Sequence, residues 1–185
     1  MLSSLPHSGC LGVILAGGAS RRMGHDKATL PWGNSTLLDH MRALLFKAGV
    51  DRVVILGKPD VEDGVADETP FSGPVPALLS YLRAAGAGQR HVVVPIDMPY
   101  LSPALLAPLA SVTHWTRYDG YVFPFTAIGG EIVSGSGPRL RDLLSANKAT
   151  LLTVPAFADR AFRNLNHLGD LPYSHPAHAN ERCCQ

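Results

Sequence analysis

One short stretch does most to limit what this chain can become: the apolar run Leu11–Ala16, stopped by Gly17-Gly18 and followed by Ser20, Arg21, Arg22, Gly24 and Lys27. An apolar run without polar alternation suits a strand covered on both faces. Paired glycines then let the backbone turn tightly and approach a ligand without an intervening Cβ. Successive N–H groups in such a turn form a cavity for anions. A lysine and two arginines within ten residues supply counter-charge for phosphate oxygens. The stretch therefore reads as a strand that delivers a polyphosphate-binding loop.

Two common nucleotide loops do not fit. A P-loop places two glycines five apart before Lys and Ser/Thr, whereas Gly24 lies seven beyond Gly17 and His25 follows it. The dinucleotide pattern Gly-x-Gly-x-x-Gly cannot be aligned with Gly17-Gly18-Ala19-Ser20.

The rest of the chain supplies the scaffold. Leu37, Leu38, Met41, Leu44, Leu45 and Ala48 repeat at helical spacing, with Ser35 or Thr36 as the cap and Gly49 past the end. Asp39 and His40 fall on the solvated face of that helix. Val53–Leu56 is a second buried strand ending at Gly57-Lys58, and an acidic stretch containing Asp67 follows it. A helix is predicted over Val75–Ala85, then a third strand over His91–Ile96 ending at Asp97. Ser102-Pro103 starts another helix, with Ser102 as hydroxyl cap and Pro108 expected to bend or end it. This alternation implies right-handed parallel crossovers, hence an α/β fold: a mostly parallel sheet in three layers with helices on both faces. Ligands in such sheets sit beyond the carboxyl ends of the strands, which brings Gly17-Gly18, Gly57-Lys58 and Asp97 to one edge. Further on, Tyr121–Phe125 reads as a strand with a proline at an edge or bulge, Pro138–Leu144 as a short helix, and Leu151–Val154 as a strand.

The 185 residues fit one domain. It divides into a loose leader over 1–10, a nucleotide-binding half over 11–110, an acceptor-binding half over 111–171 and a frayed tail over 172–185. A net charge of +1 offers no global field for nucleic acid or a membrane surface, so neither is expected as a partner. The cysteines, Cys10, Cys183 and Cys184, form no C-x-x-C pair and suit a reducing, cytoplasmic setting. No stretch has the apolar length of a membrane span, and residues 1–10 lack the pattern of a secretory signal.

Asp97 ends an apolar strand beside the glycine turn, which suits Mg²⁺ held by one carboxylate and substrate phosphates. Leu15-Ala16-Gly17-Gly18, Ser20, Arg22-Met23-Gly24 and Asp26-Lys27-Ala28 together resemble the nucleotidyltransferase signature. The Gly-Gly form with Asp-Lys-Ala is most similar to the molybdenum cofactor guanylyltransferases. That resemblance implies a Rossmann-like fold and Mg²⁺-dependent transfer of GMP from GTP to the terminal phosphate of molybdopterin, with release of pyrophosphate. It implies catalytic roles for Arg22, Lys27 and Asp97, nucleotide contacts from Leu15, Ala16, Gly17, Gly18, Lys27, Asp67 and Asp97, and the metal at Asp97. Asn164 and Asn166, in Asn164-Leu165-Asn166 with Asp170-Leu171 behind, resemble the family's acceptor-binding element. Contacts with proteins that make or receive the cofactor are implied as well. The chain departs from the family at Pro76-Ala77, at Gly57-Lys58 where an asparagine is usual, and at Phe123-Pro124 where His-Pro is usual. Two other readings fit the same loop: a cytidylyl- or sugar-phosphate nucleotidyltransferase, and a non-catalytic nucleotide-binding module.

Overall fold

The computed structural model describes residues 9–17, 26–67, 73–130, 132–135, 137–158, 160–166 and 170. Gly18, Arg22, the leader over 1–8 and the tail over 171–185 lie outside them.

The first strand, β1 (Cys10–Leu15), pairs in parallel with β4 (Arg52–Leu56) on one side and β6 (Arg90–Pro95) on the other. The registers end level, with Leu15 opposite both Leu56 and Pro95. β5 (Gly64–Val65) adds in parallel to β4. Beyond β6 come β8 (Phe125–Ile128), then β7 (Thr116–Tyr118), then β9 (Thr150–Leu152), in the order β5-β4-β1-β6-β8-β7-β9. Only β8 runs against the others. A separate small ribbon pairs β2 (Pro31–Trp32) with β3 (Ser35–Thr36).

The strands read as continuous apolar runs because both faces are covered. Ile14, Val53, Ile55, Val92 and Val94 pack under α1 (Leu37–Lys47) and α3 (Pro103–Ser111). Their strand neighbours Val13, Leu15, Val54, Leu56 and Val93 pack under α2 (Pro74–Ala84) and α4 (Leu140–Ala146) on the opposite face. Each fully buried leucine, such as Leu45 or Leu78, contributes about 1.5–3 kcal/mol over leaving it in water.

Several local expectations need correction. Asp39 is exposed, as expected of the solvated face, and it also has a local role: its backbone N–H donates to Thr36 Oγ1 at 3.1 Å and its carboxylate accepts from Thr36 N at 3.3 Å, closing a capping box. His40 is half-buried, and its Nε2 donates to the Pro99 carbonyl at 2.8 Å. Ser102 occupies the cap of α3 through its backbone, whose carbonyl accepts from Leu105 N at 3.0 Å, while its side chain makes no capping bond. Pro108 does not end α3. It removes one helical donor, but Leu105, Leu106 and Leu109 are wholly buried and hold the helix through to Ser111. The strand expected over Tyr121–Phe125 starts only at Phe125. β8 pairs on both edges, and a proline cannot join a strand paired on both sides. The last strand likewise begins one residue earlier than expected and stops at Leu152.

Candidate active site

The carboxyl ends of β1, β4 and β6 are laced together by backbone hydrogen bonds. Ala16 N and Gly17 N both donate to the Leu56 carbonyl at 3.0 Å, and Ile96 N donates to the Leu15 carbonyl at 3.1 Å. Gly57 has φ +84°, and a Cβ built there would stand 2.3 Å from the Gly17 Cα. No larger residue than glycine fits at Gly57 while the two turns touch. Leu15, Gly17, Leu56, Gly57 and half-buried Asp67 line a small cavity, closed by Gly73, Pro74 and Ala77 at the start of α2. Pro74 is well placed in that first helical turn, where its missing N–H costs nothing.

At the neighbouring strand end, Lys27 Nζ donates to Asp97 Oδ2 at 2.9 Å and to the Leu165 carbonyl at 2.9 Å. Leu165 N donates to the Asp97 carbonyl at 2.6 Å. Three segments far apart in sequence therefore meet at one ammonium group. The Lys27 and Asp97 side chains retain 18% and 22% of their exposure, so both stay reachable from solvent while their pairing is partly shielded. Asp26 fixes the approach of Lys27: its Oδ1 accepts from Ala28 N at 3.0 Å and caps the 3-10 turn Lys27–Thr29. Its other oxygen accepts from Lys58 Nζ, which also reaches Asp60 at 3.4 Å. The bond to Asp26 raises the Lys58 pKa above its usual range. Lys58, which the sequence places at this edge without a role, thus ties the turn after β4 to Asp26 at the end of the glycine-rich stretch.

Leu165 lies between the two asparagines of Asn164-Leu165-Asn166. Asn166 N donates to Asp170 Oδ2 at 2.9 Å. Asn164 lines a cavity of roughly 280 Å³ with Tyr100, Arg160, Arg163 and Asp170. Tyr100 Oη donates to the Asp170 carbonyl at 2.9 Å. A cavity of roughly 750 Å³ lies elsewhere, between the starting ends of β1 and β4 and the edge strand β5, and it includes neither Lys27 nor Asp97.

Of the residues singled out in the sequence, Leu15, Ala16, Gly17, Lys27, Asp67, Asp97, Asn164 and Asn166 are described, and all fall at the strand ends just outlined or in the segment bonded to them. Gly18 and Arg22 lie outside the described residues. Among the described residues no cluster of three or more His, Cys, Asp or Glu side chains is arranged to hold a metal. Asp97 stands as a single carboxylate with one oxygen paired to Lys27. Tyr100, Arg160 and Arg163, which line the cavity beside Asn164, were not singled out in the sequence. Arginines one turn apart in an irregular segment carry no motif, and the sole local signal was their nearness to Asn164.

Residues 12–183 match the MobA-like NTP transferase domain. The chain belongs to that family. The molybdenum cofactor guanylyltransferase of Xanthomonas euvesicatoria is 50% identical over 98 residues, spanning 53% of this chain and 52% of that protein. The probable molybdenum cofactor guanylyltransferase of Mycolicibacterium paratuberculosis is 33% identical over 86% of this chain and 92% of its own length. The crystal structure of molybdopterin-guanine dinucleotide biosynthesis protein A from Archaeoglobus fulgidus overlays with a TM-score of 0.57 at 18% identity, covering 86% of this chain and 94% of that one. The sheet order of this fold brings the glycine turn at Gly17, Lys27 and Asp97 to one sheet edge. Among the described residues no helix is long and apolar enough to cross a membrane.

Proposed function

We propose that the chain transfers GMP from GTP to the terminal phosphate of molybdopterin, or of its molybdenum-loaded form, releasing pyrophosphate. The observation that carries this reading is Lys27 Nζ, held at 2.9 Å from both Asp97 Oδ2 and the Leu165 carbonyl. It unites the nucleotide loop, the end of β6 and the Asn164–Asn166 segment around one site.

The triphosphate lies over the turn after β1, with Gly17 toward its oxygens and the base toward the cavity that contains Asp67; Gly18 and Arg22, outside the described residues, are assigned to the phosphates by the sequence pattern alone. An oxygen of the acceptor phosphate attacks the α-phosphorus; a new phosphoanhydride forms, the α–β bridge breaks, and pyrophosphate leaves with the bridging oxygen. A phosphate monoester is already largely dianionic at neutral pH, so no side chain has to remove a proton. Lys27 stabilises the charge that grows on the phosphoryl oxygens, and the backbone around Leu165 holds the acceptor in line. Asp97 suits Mg²⁺, which needs one or two carboxylates beside substrate phosphates. When bound there, Mg²⁺ supplies charge neutralisation for the triphosphate.

The test is pyrophosphate release with Mg²⁺ and each of GTP, CTP, ATP and UTP, with and without molybdopterin. Release that needs both GTP and molybdopterin is expected. Release with another nucleotide replaces the base assignment, and nucleotide binding without release for any of the four replaces the enzyme by a binding module.

A further inference from the structure

The Lys27–Asp97 pair is built on a frame that leaves the ammonium little freedom. The 3-10 turn Lys27–Thr29 sets the backbone of Lys27, and Asp26 Oδ1 caps that turn through Ala28 N at 3.0 Å. Lys27 Nζ then closes a ring of contacts. It donates to Asp97 Oδ2 at 2.9 Å and to the Leu165 carbonyl at 2.9 Å, while Leu165 N donates back to the Asp97 carbonyl at 2.6 Å. Leu165 is wholly buried and anchors the far side of the ring. Asp26 competes poorly for Lys27, because its other oxygen already accepts from Lys58 Nζ. Among the described residues no other cation pairs with Asp97. Burial does not close the site: the two side chains keep 18% and 22% of their exposure, so a hydrated ion can reach the carboxylate. What stands in its way is the ammonium itself.

A lone carboxylate is a poor ligand set for Mg²⁺, which dehydrates reluctantly and takes one or two carboxylates together with substrate phosphates. Asp97, with one oxygen bonded to a fixed ammonium, offers a divalent cation less still, since like charges repel at this range. A triphosphate changes both terms. Its oxygens add ligands, and they give Lys27 another set of charged acceptors. We infer that Lys27 is a counter-ion lock on Asp97: it fills the cation's place in the free chain and yields it when a nucleoside triphosphate draws the ammonium away. Metal and nucleotide then bind as a linked pair, each raising the other's affinity by the same factor. This deepens the transfer reading above and rests on its assignment of the metal to Asp97.

The experiment titrates Mn²⁺ into the full chain, with and without GTP and with no acceptor, following the bound ion by water-proton relaxation. Without GTP, Lys27→Met is expected to hold Mn²⁺ about tenfold more tightly than wild type, the lower end of what a charge-assisted hydrogen bond is worth. Lys27→Gln keeps the reach without the charge and gives the same gain, which preserves the comparison should the methionine variant fail to fold. Adding Asp97→Asn to either variant abolishes the gain. An ion pair with only a structural role gives no gain at all. Mn²⁺ affinity within about twofold of wild type in both Lys27 variants, or a gain that survives Asp97→Asn, overturns the inference. GTP-loaded wild type whose Mn²⁺ binding does not respond to Asp97→Asn overturns the metal assignment as well, a result distinct from the first.

Discussion

Replacing Lys27 by methionine keeps the apolar stem of the side chain and removes its charge and donors. Two bonds are lost, to Asp97 Oδ2 and to the Leu165 carbonyl, each at 2.9 Å. Because the paired side chains keep 18% and 22% exposure, water compensates partly, and the cost to folding is about 1–3 kcal/mol. A domain of ordinary stability, about 5–15 kcal/mol, survives that. The kinetic cost is larger. A positioned charge opposite the developing phosphoryl charge is worth about 10²–10³ in kcat. Urea unfolding should therefore show a cooperative transition at slightly lower midpoint, while pyrophosphate release falls at least a hundredfold. Lys27→Arg should recover little, because a planar fork cannot reach the same two oxygens as a point charge. A folded Lys27→Met protein with activity within threefold of wild type would refute the reasoning, since the ion pair would then be only structural.

Other expectations follow from single contacts. Gly57→Ala places a side chain on a backbone with φ +84° and 2.3 Å from the Gly17 Cα; it should cost about 2 kcal/mol or more and weaken nucleotide binding, which urea midpoints and GTP titration would measure. Lys58→Met should lower kcat through loss of the Asp26 tie, and in a double-mutant cycle with Asp26→Asn the two losses should not add; full additivity would show that the tie does not position Lys27. Burial depresses the His91 pKa to about 4 from 6.5, outweighing the raising effect of the backbone groups of Ala127 and Gln89 beside the ring. The unfolded chain then takes up a proton that the folded one refuses, so this contribution is intact above about pH 6.5 and drains away as pH falls toward 4, by about 3 kcal/mol. His91→Leu should flatten the fall in urea midpoint across that window, and an unchanged slope would exclude His91 as its source.

How much was legible in the sequence differs along the chain. β1, β4 and β6 announced themselves because strands covered on both faces are apolar throughout, and α1 carried both a cap and a helical repeat. The topology alone then brought Gly17, Gly57 and Asp97 together. The antiparallel part was harder to read. β8 buries Thr126, whose hydroxyl donates to the Leu109 carbonyl at 2.7 Å, and β7 buries Thr116; polar residues satisfied inside strands break the apolar signature. The bond network at Leu165 is wholly tertiary and depends on backbone groups, which every residue carries alike. Pro108 misled because burial of three leucines outweighed one missing donor.

The central claim is that the α-phosphoryl group moves to the acceptor while the outer phosphates leave. GTP labelled separately at its α- and γ-phosphates, incubated with Mg²⁺ and molybdopterin, tests it most directly. The account predicts α-label in the pterin product and γ-label in pyrophosphate. Label from the γ-phosphate in the product, or α-label left entirely in free GMP, would contradict it.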